Sequence, residues 1–245
     1  MYETDVFISY KREEPAVPTE LKSRLEAKGY KVWMDVEIGF GEKWRAKIDK
    51  YLQNTMLVIV ITSPASMASA YVTYEWTYGC LSLGKEFYWV QIAHCDKDKG
   101  MFGLLMDNHQ LPFEVSSTTP PENEWEKLVE DIENRHLKGL KRIREAGEIL
   151  SDTHRGEFVQ AAIDLGKVTN PYHIPLARQM LLRGLKTHTY TSGEASRPIA
   201  QALNNPNISD LSAIPYLINF LKETHEPDID NTAKTLLDRL IGQNS

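Results

Sequence analysis

The first half of the chain alternates short apolar runs with stretches in which apolar residues recur every three or four positions. The third run, residues 56–62, is rich in β-branched residues and far shorter than a membrane span, so it predicts a buried strand. Pro112 within the last run indicates an edge strand, because proline cannot donate a ladder hydrogen bond. The five predicted strands are residues 6–10, 30–34, 56–62, 87–93 and 111–115.

Amphipathic segments between these runs predict helices. Residues 19–28 and 44–53 each carry apolar side chains four positions apart, and a third helix follows the third strand. Strands that alternate with helices favour an α/β fold with a parallel sheet, right-handed crossovers and helices on both faces. Five strands predict the flavodoxin-like order, in which ligands bind where the strand order reverses, between the first and third strands. Residues 9–12 and 63–75 would then border one crevice, with the loop at 36–44 beside it.

The second half of the chain predicts helices only. The composition changes at residues 116–121, a Ser/Thr/Pro-rich stretch typical of a linker. We therefore predict an α/β domain at 1–135 and an all-α helical domain at 136–245, resembling a small bundle or a solenoid of helix pairs. The predicted helices are 125–150 (one long helix or two), 157–165, 174–185, 195–203, 211–221 and 229–241.

Composition narrows the class of protein. With 245 residues and a net charge of −6, the chain offers no bulk electrostatic attraction for nucleic acid or anionic membrane. Two cysteines do not make a disulfide framework, and no apolar stretch reaches the roughly 18 residues of a membrane helix. The N-terminus lacks the features of a signal peptide. We expect a cytoplasmic protein without a bound cofactor or metal, since His94, Cys95 and His109 lack zinc-ligand spacing.

Glu75 is the most informative single residue, because it follows the third strand. A glutamate on a helix is usually a solvated surface residue. An acid near the carboxyl end of a parallel strand, however, lies where open α/β sheets bind their ligands. Tyr71 precedes it by one helical turn, so both side chains are expected on one face.

Four segments together resemble the TIR (Toll/interleukin-receptor) family, and specifically its bacterial NAD-cleaving members. They are residues 5–10 (DVFISY), residues 33–35 (WMD) with the glycine-bearing loop after them, the Ser63-Pro64 exit of the third strand, and the segment from Ser66 to Trp76. The resemblance covers about residues 1–135 and does not extend to the helical half. It implies that Glu75 is the catalytic acid of NAD+ cleavage.

The resemblance also implies roles for the surrounding residues. Tyr71 stands where related enzymes often have tryptophan and would stack on a base or ribose. Lys11 and Arg12 would be cations that approach the nucleotide phosphates. The hydrogen-bond donors to the ligand would be Ser9, Tyr10 and Ser66. Phe40 and Trp44 belong to the loop that touches a neighbouring TIR domain and can shape a shared site. For each of them a purely structural role stays open.

Two functions compete at this point. The first is an NAD+ nucleosidase (a glycohydrolase or ADP-ribosyl cyclase) activated by self-association, with the helical half meeting a trigger or partner protein. Similar bacterial proteins act in anti-phage defence by depleting NAD+ or making a signal nucleotide. The second is a non-catalytic TIR adaptor that acts through the loop at 36–44, with Glu75 incidental. A response regulator is disfavoured, because the first strand lacks an acidic pair at its end.

Overall fold

A computed structural model describes residues 4–35, 44–95, 112–152, 157–187, 196–209 and 227–242, together with the isolated residues 214, 218 and 222. The contacts divide the chain into two compact units, Met1–Leu137 and Lys138–Ser245. The first unit holds the sheet, and the described part of the second unit is helical.

The first unit contains a five-stranded sheet with the order β2-β1-β3-β4-β5, and all four strand pairs are parallel. The predicted flavodoxin-like order is therefore confirmed. β5 is a two-residue edge strand, in agreement with the proline beside it. The strands are β1 (Val6–Ser9), β2 (Val32–Met34), β3 (Leu57–Thr62), β4 (Glu86–Gln91) and β5 (Phe113–Glu114).

The helices of the first unit lie at the predicted positions, except that one predicted helix is divided into shorter segments. The segment after β3 forms two short helices and a π-helical turn, Thr77–Ser82, where one helix was expected. The helices are α1 (Ala16–Ala27), α2 (Trp44–Gln53), α3 (Pro64–Met67), α4 (Ala70–Trp76) and α5 (Glu122–Ile132).

The core on one face of the sheet shows which side chain at the end of β1 points toward α4. Phe7 and Trp33 from the strands pack there with Val72 and Trp76 from α4, and all four are buried. Since successive side chains of a strand point to opposite faces, Ser9 points to the same face as Phe7. The first polar side chain at the end of β1 is thus directed toward α4.

The Ser/Thr/Pro-rich stretch at 116–121 lies within the first unit, although its composition is typical of a linker. α5 follows it and still belongs to the first unit. Arg24 of α1 donates two hydrogen bonds of 2.6 Å to Glu122 and lies over the Trp125 ring at 5.1 Å from its centroid. The buried stripe of α5 includes Trp125 and Leu128, so apolar packing overrides the loop-like composition before it.

The second unit consists of helices wherever the structure describes it. The segment predicted as 125–150 is α5, a π-helical turn (Glu133–Leu137) and α6, so it is divided. The predicted helix at 211–221 lies almost entirely outside the described residues. Among the described helices, none combines the length and apolarity needed to cross a bilayer. The helices are α6 (Lys138–Leu150), α7 (Phe158–Gly166), α8 (Ile174–Thr187), α9 (Ser196–Leu203) and α10 (Pro227–Gly242).

Candidate functional site

The candidate site lies at the carboxyl ends of β1, β2 and β3, where the strand order reverses. Ser9 is paired in register with Val60 of β3. On the other side of β1, Ile8 is paired with Met34 of β2, so the next residues, Ser9 and Asp35, stand at the same level. This register brings a hydroxyl and a carboxyl together at the end of two neighbouring strands, at the position where such sheets bind ligands.

Serine caps set the course of the chain between β3 and the helix that carries Glu75. The Ser63 hydroxyl accepts a hydrogen bond from Ser66 N at 3.0 Å, while Ser66 Oγ accepts one from Ser63 N at 2.8 Å. This reciprocal pair is a capping box that fixes the start of α3. Ser69 then caps α4 by accepting a bond from Val72 N.

The spacing along α4 sorts its residues between core and solvent. Val72, Glu75 and Trp76 are buried, as expected for positions three and four apart on one side of a helix. Tyr71 precedes Glu75 by one turn but is 62% exposed, so it lies at the surface outside the core. The core face of α4 thus includes an acid, which is an uncommon residue to bury.

Glu75 is only 3% exposed, and its carboxylate accepts a hydrogen bond from the Ser9 hydroxyl at 2.6 Å. Burial is the main reason that the pKa of Glu75 rises to about 8, and the negative charge of Asp35 raises it further. The Ser9 hydrogen bond and the Arg12 charge lower the pKa in opposition. Carboxyl groups whose pKa is raised into this range are common at functional sites.

Asp35 and Arg12 form an ion pair at the edge of the same site. Arg12 Nε lies 2.5 Å from Asp35 Oδ2, with the Arg12 side chain 55% exposed and the Asp35 side chain 9% exposed. Tyr10 is buried beside them, and its hydroxyl makes no hydrogen bond of normal geometry to the described residues. Burial, followed by the charge of Asp35, raises the pKa of Tyr10.

The structure brings four of the predicted site residues together: Ser9, Tyr10, Arg12 and Glu75. It adds Asp35, which sequence analysis included in the WMD segment of the family resemblance but did not assign to the site. The available signal was its position, since an acid directly after β2 must lie beside the end of β1 in a 2-1-3 order.

Other predicted residues are placed less directly. Lys11 pairs with Glu13 at 3.3 Å, and Ser66 is fully buried with its hydroxyl engaged in the α3 cap. Their contacts with a nucleotide stay predictions. Trp44 is the first residue of α2, but its side chain, like the whole of Phe40, lies outside the described residues. Within the described ranges, His, Cys, Asp and Glu form no cluster suited to a metal ion.

A separate cleft of about 850 Å³ lies in the second unit, between α6 and α7. Its floor is apolar and includes Ile143, Ala146 and Leu165, while Glu145 and Asp164 stand at its rim and are exposed. Its volume is in the range of small-molecule sites. It contains none of the sequence-predicted site residues.

A five-stranded parallel α/β unit with a buried carboxyl group at its switch point belongs to a widespread class of ligand-binding folds. The family model described as TIR domain matches residues 6–129, and the chain belongs to that family. The TIR domain of the Toll-related receptor TRR-2 from Hydra magnipapillata is similar in structure, with a TM-score of 0.42 and 21% identity over 53% of this chain and 98% of that one. No curated protein matches the chain.

Proposed function

We propose that this TIR protein is an NAD+ nucleosidase that cleaves the bond between nicotinamide and ribose, as a glycohydrolase or a cyclase, with Glu75 as its catalytic residue. The observation that carries the proposal is the Glu75 carboxyl group, which is buried at the strand-order reversal and held by Ser9 at 2.6 Å. Desolvating an acid is costly. The burial of Glu75 at the ligand-binding edge of the sheet, despite this cost, supports a chemical role for its carboxyl group.

The reaction suits a single carboxylate. Cleavage of the N-glycosidic bond develops positive charge on the ribose, as in glycoside hydrolysis. Nicotinamide leaves from a cationic pyridinium, so its departure consumes the positive charge of the ring and needs no general acid. The Glu75 carboxylate would bind the ribose hydroxyls and stabilise the cationic transition state, in a site with little water to screen the interaction. Water, or an atom of the nucleotide itself, then takes the anomeric position.

Arg12 is suited to the other end of the nucleotide. Its side chain is half exposed, and its Nε donates a hydrogen bond to Asp35. A guanidinium group can bind a pyrophosphate through two parallel hydrogen bonds. Tyr71, exposed on the same helix as Glu75, supports a stacking contact at the mouth of the crevice.

The raised pKa of Glu75 supports a low resting activity. With a pKa of about 8, roughly a tenth of the chains would carry the ionised group at pH 7. A bound pyridinium cation favours the carboxylate, since an opposite charge nearby lowers the pKa of an acid. The substrate would thus help to generate the active form of the residue that cleaves it.

We further propose that self-association activates the enzyme, with the loop at 36–44 of one subunit completing the site of its neighbour. An NADase that acts only when assembled would spare its host until a trigger arrives. The helical unit is the proposed place for that trigger or a partner protein, and anti-phage defence is the proposed setting. The alternative is a TIR adaptor without catalysis.

The deciding experiment is to measure nicotinamide release by the purified full-length protein over a wide range of protein concentrations. Wild type is compared with Glu75→Gln and with Glu126→Gln, an exposed glutamate on α5 that serves as the matched control. We expect release that grows more than linearly with concentration in wild type and in the control, and no release with Glu75→Gln. Equal release by both variants would remove Glu75 from the mechanism, and no release at any concentration would favour the adaptor.

A further inference from the structure

Asp35 places a second buried carboxyl group in the site. The β1–β2 register sets it beside Ser9, whose hydroxyl is bonded to Glu75, and Asp35 and Glu75 are both more than nine-tenths buried. Trp33, two residues earlier in β2, belongs to the core that α4 covers, and the charge of Asp35 acts on Glu75. The two acids therefore share one poorly solvated space.

The charge of Asp35 is only partly compensated. Oδ2 accepts a hydrogen bond from Arg12 Nε, whereas Oδ1 is buried without a hydrogen-bond partner among the described residues. A buried carboxylate with one satisfied oxygen keeps much of its negative field, because no solvent screens it. Arg12 compensates part of this charge through its hydrogen bond to Asp35, and its positive charge also acts on Glu75.

We propose that Asp35 is a positioning residue of this site, which holds Arg12 at the mouth of the crevice and directs its own negative charge toward Glu75 across the end of β1. This inference rests on the proposed function for its catalytic meaning. The coupling between the two acids, however, can be measured without substrate. The negative charge of Asp35 raises the pKa of Glu75, so removing that charge must change the titration of Glu75.

Few other charged or titratable groups face Glu75 in the described structure. Arg12 and Tyr10 follow β1, and Asp35 follows β2. Glu14, in the loop after β1, accepts a hydrogen bond from Ser63 at 2.5 Å, and Lys11 is paired with Glu13. α4 itself contributes no further charge, since Glu75 is the only ionisable acid or base among Ala70–Trp76 apart from two tyrosines.

The test is to titrate the Glu75 carboxyl group in the full-length protein, by carbon-13 NMR of labelled glutamate assigned through Glu75→Gln. We expect Asp35→Asn to lower the titration midpoint by about one pH unit, because the repelling charge is lost and Arg12 is released toward Glu75. Ser9→Ala should move the midpoint the other way, since the hydroxyl stabilises the carboxylate. A midpoint that is unchanged or raised in Asp35→Asn would overturn the proposal.

A second variant covers the case in which Asp35→Asn does not fold. Arg12 is half exposed, so Arg12→Gln should be tolerated, and it removes the cation that compensates Asp35. We expect the midpoint to rise by at least half a unit, and an unchanged midpoint would contradict the proposal.

Activity gives an independent readout. Where nicotinamide release is observed, the acid limb of its pH profile should move with the NMR midpoint, so that Asp35→Asn is several-fold faster per bound substrate at pH 6.5 but has a higher KM. A purely structural role for Asp35 would lower activity without moving the limb. Coupled titration without any NAD+ cleavage would uphold the carboxyl pair and reject the proposed function.

Discussion

The crevice at the sheet edge and the cleft in the helical unit differ in how they treat acidic side chains. In the cleft, about 850 Å³ in volume, Glu145 and Asp164 stand at the rim in contact with water. At the sheet edge, Glu75 and Asp35 are buried, and one of them has a pKa raised to about 8. The volume of a cleft alone therefore does not identify a reactive site. Solvated acids cost the fold nothing, whereas buried ones must be offset by the rest of the structure.

The largest difference between the two regions is expected when one acid in each is replaced by its neutral amide. We expect Glu75→Gln to lower the rate of nicotinamide release by at least about 100-fold, a loss typical of removing a group that stabilises a charged transition state. Glu145→Gln, at the rim of the cleft, should change the rate less than twofold. Equal losses in the two variants would show that the burial of Glu75 has no catalytic meaning.

The same pair of variants should differ in how pH affects stability. In the folded chain Glu75 keeps its proton up to about pH 8, whereas in the unfolded chain it ionises near 4.5. Between these values the unfolded state gains from ionisation and the folded state does not, so wild type loses stability as pH rises. Glu75→Gln removes that loss and should be more stable than wild type by on the order of a few kcal/mol at pH 8.5.

Urea unfolding at pH 5 and pH 8.5 measures this effect. The gain in unfolding free energy of Glu75→Gln should be small at pH 5, because Gln can still accept the Ser9 hydrogen bond. It should grow toward pH 8.5, because ionisation of Glu75 stabilises only the unfolded state of the wild type. Glu145→Gln should track wild type at both values. A Glu75→Gln advantage that is the same at both pH values would mean that the folded-state pKa is not raised.

A smaller effect is expected from the helix cap that positions the site. Ser66→Ala removes the side chain that accepts from Ser63 N and leaves that buried amide without its partner. The loss should be about 1 kcal/mol in the free energy of unfolding. Thermal unfolding and KM for NAD+ should be measured together: a lower melting temperature with unchanged KM assigns Ser66 to the cap, and a raised KM at unchanged stability assigns it to the ligand.

Tyr71 should give the smallest change. It is 62% exposed, so Tyr71→Ala should leave the melting temperature within about a degree. If the ring stacks on the nucleotide, KM should rise about three- to tenfold, and Tyr71→Phe should restore most of the affinity. An unchanged KM in Tyr71→Ala would exclude Tyr71 from the binding surface.

Particular residues show how far the sequence alone predicts this molecule. The β-branched run of β3 and the proline beside β5 fixed the centre and edge of the sheet, because burial and backbone donors constrain those positions strongly. The contact that joins this part of the chain to α1 was not predicted, because Arg24 and Trp125 are far apart in the sequence. Local composition does not contain contacts between residues a hundred positions apart.

The same limit applies to the site. Glu75 and Ser9 follow from strand ends and the family pattern, whereas their 2.6 Å hydrogen bond joins residues 66 positions apart. Asp35 lies in the WMD segment, but its position beside Ser9 depends on the β1–β2 register. The depth of Glu75 was also unpredictable, because a helical glutamate is exposed by default and only the packing of Val72 and Trp76 turns that face inward.

The central claim is that ionisation of the buried Glu75 controls cleavage of NAD+. It is tested most directly by the rate of nicotinamide release between pH 5.5 and 9.5, at one high protein concentration and a subsaturating NAD+ concentration. We predict a rate that rises with pH and levels off above an apparent pKa of about 8, with no such rise in Glu75→Gln. A rate that is independent of pH, or a rise that persists in Glu75→Gln, would contradict the account.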